Sequence, residues 1–219
     1  MEPIVGRYDI WDLPVRAFHW YLVLAVLVMW WSGEQGRMEI HQWTGCSILC
    51  AVLTRIIWGF IGSEGARFAS FVVGPKKVFR YVREGGNSVG HNPLGGLSIV
   101  AFFLLLLLQA ISGLFSRDDL LFDGPLSYWA GDASGVITEW HEINWELLRV
   151  LIVLHLLAVA WHQFWKKQPL IQAMWWGRAG SKAANTPPKP IVWAIGSFIF
   201  SASILAILLY FAPEIPSYY

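Results

Sequence analysis

The sequence predicts an all-α integral membrane protein, on the basis of its composition, the length of its apolar runs and the placement of its aromatic residues. Of 219 residues, 56% are hydrophobic and only 14% are charged, against roughly 25% charged in an average soluble domain. Charges this sparse do not cover the surface of a soluble domain of this length. Five stretches are long and apolar enough to cross a bilayer as helices, and Trp and Tyr cluster at their ends, as they do at membrane interfaces.

Each predicted span is an apolar run of about 20 residues. The first opens with Pro14, which suits the first turn of a helix because that turn needs no N–H from it. A Pro-rich linker at 186–190 sets the fifth span apart from the other four. We therefore expect a four-helix transmembrane bundle domain over 1–178, followed by a linker and one further C-terminal transmembrane helix over 179–219. The predicted spans are 14–31, 41–61, 94–115, 143–165 and 190–211.

The connections between spans predict the orientation in a bacterial inner membrane. Lys and Arg concentrate between spans two and three and between spans four and five, which places these connections in the cytoplasm. The N-terminus is then cytoplasmic and the C-terminus periplasmic. Two basic stretches that also carry bulky apolar residues, 71–83 and 169–178, are expected to lie along the inner lipid surface. The periplasmic connection between spans three and four is acidic, with Asp118, Asp119, Asp123, Asp132 and Glu139.

Histidines inside the spans are the main functional signal, because an ionisable residue within a membrane span is a functional-site hypothesis by default. His141 and His155 are fourteen residues apart on one predicted helix, so they share a face to within about 40° and differ in depth by about 21 Å. The predicted topology places His19 at the level of His155 and His41 at the level of His141. The four residues therefore sort into an inner pair and an outer pair.

Paired imidazoles at two depths predict two haem b groups. Zinc usually needs four ligands close together, often with cysteine or carboxylate, whereas these ligands come in twos, and bis-imidazole ligation suits haem iron. No C-x-x-C-H sequence is present for covalent haem attachment. His19 and His155 are the predicted ligands of the inner haem iron, and His41 and His141 those of the outer one. We expect each to donate its second ring N–H to backbone or water; four unrelated structural histidines are the alternative.

Further candidates surround these pairs, and no catalytic residue is predicted. Gly45 follows His41 by one helical turn and leaves room for a haem macrocycle, although ordinary helix packing would use it equally well. Arg55 shares the face of His41 at the inner end, where it would pair with haem propionates or extend to lipid headgroups. His91 and His162 are candidates for binding a quinone headgroup, with plain interface positions as the alternative.

At these residues the chain resembles the prokaryotic cytochrome b561 family, which includes the cytochrome b subunits of nickel–iron hydrogenases. The resemblance implies a bundle of four helices that holds two haem b groups through His19, His41, His141 and His155, and electron transfer between membrane quinones and a redox partner. Span five lies outside it, and Glu146 and Arg149 are unusual for the family's apolar fourth helix. The matching stretches, over about 10–178, are WDLPVRAFHW, HQWTGCSILCAVLTRIIWGFIG, ARFASFVVGPKKVFRYV, GHNPLGGL, WHEINWELLRVLIVLHLLAVAW and LIQAMWWGR.

The predicted function is electron transfer across the inner membrane between the quinone pool and a periplasmic redox partner, either a c-type cytochrome or a hydrogenase-like enzyme. The acidic connection favours a positively charged protein partner, and a net charge of +1 gives no reason to expect nucleic acid. Whether the chain is itself an enzyme stays open. One alternative is a terminal oxidoreductase acting on a small molecule such as superoxide. The other is a haem-free transporter or scaffold, although the paired halves and broken helices of transporters are absent from the sequence.

Overall fold

The structure, a computed structural model, describes residue 9 and residues 11–84, 93–117, 122–177 and 186–213. Five of its helices are long and apolar enough, by length and composition, to cross a membrane. This confirms the predicted all-α class. They are α1 (Leu13–Glu34), α2 (Met38–Ile61), α3 (Pro93–Phe115), α4 (Ser134–Ala160) and α5 (Ile191–Tyr210).

The fourth helix differs most from its predicted bounds. It begins at Ser134, nine residues before the expected start, and continues through a π-helical turn over Trp161–Trp165. The expected start followed the apolar run, which ends at the acidic residues Glu139 and Glu142. Glutamate is a good helix former, so the backbone hydrogen bonding continues past the point where the apolar run stops.

Helix α2 is the central element of the bundle. It packs against α1, α3 and α5, and half of its most apolar stretch is buried, compared with 11% for α1 and for α4. Helices α3 and α4 form a second hairpin beside the α1–α2 hairpin. Within the described residues α1 and α4 hardly contact each other, which leaves a gap between the two hairpins.

The two ends of the bundle differ in charge. We name the basic end the one at which α1 begins and α2 and α4 end, because it carries the helix Pro75–Glu84 and the Lys166–Lys167 pair. The acidic end is the opposite one, with Glu34, Asp132 and Glu139. A second short helix at the basic end, Leu170–Trp176, packs its carbonyl groups against the start of α1, where Arg16 and Trp20 donate hydrogen bonds to them.

Helix α5 is packed onto α2. Leu205 joins a buried cluster with Leu49 of α2 and Leu114 of α3. At the basic end the Lys189 backbone N–H donates to Ser63 Oγ at 3.0 Å, so α5 runs antiparallel to α2. The division of the chain into domains at 178/179 stays a prediction.

A buried carboxylate joins the start of α1 to the end of α2. Asp12, 4% exposed, caps α1 by accepting a hydrogen bond from the Val15 backbone N–H at 3.0 Å. Its other oxygen accepts from the indole N–H of Trp58 at 3.0 Å, and Trp58 is 1% exposed. One side chain therefore satisfies a helix terminus and a buried donor of the neighbouring helix.

We expect Asp12→Ala to lower the free energy of unfolding by ~2–4 kcal/mol, the sum of a lost helix cap and an indole N–H left buried without a partner. Unfolding in mixed micelles at rising denaturing-detergent fraction measures this. Asp132→Ala, which removes an exposed acid, is the matched control and should change stability by no more than about 0.5 kcal/mol. Equal stability of the two variants would contradict the bridging role of Asp12.

Candidate functional site

The four histidines of the spans meet in two pairs across the gap between the hairpins. The ring centroids of His19 and His155 lie 6.5 Å apart, and those of His41 and His141 lie 6.3 Å apart. His141 and His155 are both on the continuous helix α4, so the two pairs lie at levels about 21 Å apart along it. The first pair lies toward the basic end and the second toward the acidic end.

Both separations fit two imidazoles on opposite sides of one metal ion. Imidazole nitrogens bind transition metals at about 2 Å, which puts two trans nitrogens about 4 Å apart and their ring centroids about 6 Å apart. Among the described residues, no group of three or more His, Cys, Asp or Glu side chains is placed to hold a metal ion. A site with two protein ligands, as in bis-imidazole haem, therefore fits this gap better than a four-ligand zinc site.

Hydrogen bonds orient the His41 ring for ligation. Its Nδ1 donates to the Met29 backbone carbonyl of α1 at 3.1 Å, and Ser32, on the next turn of α1, donates its own hydroxyl to the same carbonyl. With the proton on Nδ1, the lone pair is on Nε2. This is the arrangement found in metal-binding histidines, in which the second ring nitrogen donates to a carbonyl or carboxylate.

The His141 ring is oriented in the same way by α3. Its Nδ1 donates to Ser112 Oγ at 3.0 Å, and that hydroxyl in turn donates to the Gln109 carbonyl. The Gln109 side-chain amide donates to His141 Nε2 at 2.9 Å, so Nε2 carries no proton and its lone pair accepts this hydrogen bond. A metal ion at Nε2 would replace this one hydrogen bond.

Asn144 holds Gln109 in place. It is 1% exposed, and its amide donates both to the Leu105 carbonyl, at 2.9 Å, and to Gln109 Oε1. The polar groups of α3 and α4 therefore form one chain that ends at the His141 ring.

The pair at the basic end has apolar and aromatic surroundings. Trp20 meets the His19 ring edge-on, and Phe102 meets the His155 ring edge-on. His19 Nδ1 is buried and has no hydrogen-bond partner within the described structure. A buried ring nitrogen without a partner is costly in an apolar site, and a metal ligand bond is one way of satisfying it.

A cavity of about 460 Å³ adjoins the pair at the acidic end and is lined by His41 and His141. Its volume lies within the range of cofactor pockets. Three glycines also line it, one from each of α1, α2 and α3. A Cβ on Gly113 would lie 3.0 Å from the His141 ring, whereas one on Gly45 would meet only the Met29 side chain at 3.5 Å. Gly113 is thus the tighter of the two positions, and the role of Gly45 in cofactor binding stays a prediction.

Arg55 lies buried at the basic end of α2, 5% exposed. Its Nη2 donates to the Ala66 carbonyl at 3.0 Å, and its guanidinium stands over the rings of Phe68 and Phe103 at 5.7 and 5.6 Å. Its Nη1 has no hydrogen-bond partner in the described part of the chain. A buried cation with a free N–H fits an anionic group such as a haem propionate, and a guanidinium buried in this way is not extended to the lipid headgroups.

Of the two histidines predicted to bind quinone, the structure describes only His162. His162 lies in the π-helical turn at the basic end, and its Nδ1 donates to Gln168 Oε1 at 3.0 Å. His91 lies outside the described residues, as do Asp118 and Asp119 of the acidic connection. Quinone binding by either histidine stays a prediction.

The residues that orient the rings at the acidic end were not predicted from the sequence; they are Ser32, Gln109, Ser112 and Asn144. A signal was present, since polar residues inside an apolar span are as informative as ionisable ones. Gln109 and Ser112 are three residues apart in the span of highest hydropathy, and thus on one face of it. Which polar groups they would meet depends on how α3 packs against α4.

Comparison with known proteins decides the family. A sequence model of prokaryotic cytochrome b561 matches residues 10–177. The chain belongs to the prokaryotic cytochrome b561 family. It is 23% identical to a probable Ni/Fe-hydrogenase B-type cytochrome subunit of Bradyrhizobium diazoefficiens, over 79% of this chain and 87% of that protein. It is also 23% identical to a probable Ni/Fe-hydrogenase 1 B-type cytochrome subunit of Escherichia coli K12, over 70% and 82%. No solved structure matches the chain.

Family membership confirms the resemblance seen in the motifs. The chain is a multi-pass membrane protein of b-type cytochrome character, and so a haem b protein of electron transport. This does not fit the alternative of a haem-free transporter or scaffold.

We expect Gly113→Val to reduce haem occupancy at the acidic end, because its side chain would displace the His141 ring and fill part of the cavity. Absorption spectroscopy of the purified protein, normalised to chain concentration, measures the loss. Gly196→Val on α5 is the matched control, since a Cβ there meets no atom of the described structure within 4 Å. Full haem content in Gly113→Val would show that the cavity does not hold the cofactor.

Proposed function

We propose that the chain is a di-haem electron-transfer subunit that connects membrane quinone with a redox enzyme at its acidic end. His19 and His155 would hold one haem iron, and His41 and His141 the other. The observation that carries this proposal is the presence of two facing imidazole pairs at two levels of one bundle. Within each pair the rings are as far apart as two ligands of a single metal ion.

Bound haem b supplies reversible one-electron exchange at its iron. The residues of the chain supply position and environment. The Met29 carbonyl and the Ser112 hydroxyl fix the rings at the acidic end, and aromatic side chains enclose the rings at the basic end. Both pairs lie along α4, so a path between them follows the long axis of the bundle, from one membrane surface toward the other.

The distribution of charge supports a location in the inner membrane with the basic end toward the cytoplasm. On this proposal the N-terminus is cytoplasmic, the C-terminus is periplasmic, and the helix Pro75–Glu84 rests on the inner lipid surface. The quinone would be bound near the basic end, where His162 is the candidate within the described residues.

The names of the relatives support a hydrogenase-like enzyme as the redox partner, with a c-type cytochrome as the other candidate. Asp132 and Glu139 are exposed at the acidic end, whereas Asp123 pairs with Arg117 at 3.0 Å. A partner steered by these acids would transfer electrons more slowly as ionic strength rises. An acidic surface gives less support to a reaction with anionic superoxide.

The proposal predicts two non-covalent haem b groups per chain, and selective loss when single ligands are removed. His19→Ala and His155→Ala should deplete one redox centre, and His41→Ala and His141→Ala the other, because each variant breaks only one imidazole pair. A pyridine haemochrome assay gives the haem number, and redox titration separates the centres. His162→Ala is the control and should keep both. One haem per chain, or depletion of the same centre by His19→Ala and His41→Ala, would refute the pairing.

Arg55→Leu should lower the midpoint potential of the haem at the basic end and leave the other unchanged. Removing a buried cation stabilises the oxidised, more positive form, and a tenfold change in this one-electron equilibrium corresponds to about 60 mV. Spectroscopic redox titration measures both centres in one experiment. Arg149→Leu, which removes an exposed cation of α4, is the control. Unchanged potentials in Arg55→Leu would show that Arg55 serves only the packing of α2.

A further inference from the structure

An ion pair lies on the outer face of α4, midway between the two histidine levels. Glu146 and Arg149 pair with each other, with 59% and 48% of their side chains exposed. Glu146 is five residues from His141, so it lies about 140° round the helix from that ring and about 8 Å deeper. It therefore faces away from the gap that holds the histidines.

Charged side chains at this depth are expensive when they face lipid, and they normally face protein or a water-filled cavity. Between the histidine levels α1, α3 and α5 carry no Asp, Glu, Lys or Arg in the sequence, and Arg55 of α2 is buried. In the described part of the chain, α3 is the one other long helix that packs substantially on α4, and it does so on another face, through Asn144. The ion pair is thus left uncovered by this chain.

The pair belongs to a row of exposed side chains with alternating spacings of three and four residues. This spacing is the one by which parallel helices pack along a seam. Val153 and Leu156, at 54% and 60% exposed, continue the row on the basic side of the charges. The row is Glu146, Arg149, Val153, Leu156 and Ala160.

We propose that α4 pairs with α4 of a second copy of this chain, in a two-fold dimer held in register by reciprocal Glu146–Arg149 contacts. Copies inserted in the same direction are related by an axis along the membrane normal, which makes their α4 helices parallel. In such a pair each residue lies level with its own copy, and Arg149 of the partner subunit lies about 4.5 Å along the axis from Glu146. Both side chains are long enough to cover that offset, so each Glu146 contacts Arg149 of the partner subunit and the contact repeats by symmetry. A polar pair within an apolar seam sets register and the number of chains.

The experiment co-expresses two differently tagged full-length copies, purifies one tag from lipid nanodiscs prepared at high dilution, and measures recovery of the other. The wild-type copies should co-purify, as a particle with two 24.8 kDa chains. Glu146→Arg paired with itself, and Arg149→Glu paired with itself, should lower recovery by about tenfold or more, because like charges then face each other.

Two combinations restore complementarity and serve as matched controls. Glu146→Arg co-expressed with Arg149→Glu gives one cationic and one anionic copy, and recovery should return. The exchange of both charges within one chain should also restore it. Recovery of the co-expressed Glu146→Arg and Arg149→Glu copies identifies a contact between copies, because neither copy retains an ion pair within its own chain. Wild-type copies that do not co-purify, single variants that associate as well as wild type, or mixed variants that fail to recover would each overturn the dimer.

A second measurement leaves the charges intact and tests the same seam. Val153→Cys should form an interchain disulfide under mild oxidation in native membranes, whereas Leu104→Cys on α3, 63% exposed, should not. Equal cross-linking of both, or none of Val153→Cys, would contradict the proposal. Haem content per chain is recorded for every variant, since retained haem shows that the bundle is folded. A failure of the two-haem proposal would change that content and leave the association of copies unaffected.

Discussion

Two helical hairpins have to stand far enough apart to admit paired imidazoles and close enough to keep them out of lipid. The ring separations of 6.5 and 6.3 Å record this compromise. Closer packing of α1 on α4 would bury more apolar surface and bring the rings into direct contact. A wider gap would leave each imidazole exposed in hydrocarbon, where an unpaired polar group is costly. The sparse contact between α1 and α4 is therefore as much a part of the site as the histidines.

Something other than α1–α4 packing has to hold the hairpins at this distance, and α2 does so. It packs against three of the other four long helices, and its buried residues include Val52 and Trp58. Asp12 joins its end to the start of α1, and α5 covers its outer side. The fifth helix, which the linker at 186–190 sets apart in the sequence, thus contributes to the bundle by burying α2 rather than by approaching the histidines.

The pairs differ in how their rings are oriented. At the acidic end, carbonyl, hydroxyl and amide groups of α1 and α3 bond the rings of His41 and His141. At the basic end the described neighbours are aromatic, and Arg55 supplies a buried positive charge at the same end of the bundle. Hydrogen bonding and local charge both tune haem potentials. With one haem at each pair, as proposed, these different surroundings would give the two centres different potentials.

The sequence by itself determined the class, the five spans and the sorting of four histidines into two depths, because apolar length and helical spacing are local properties of the chain. The Glu146–Arg149 pair is local in the same sense, since residues three apart are neighbours on any helix. The tertiary structure decided which residues orient the rings, that Gly113 rather than Gly45 lies against an imidazole, and that Asp12 binds Trp58. Each of these depends on the rotation of one helix against another. That rotation is set by side chains far apart in the chain, and no local pattern encodes it.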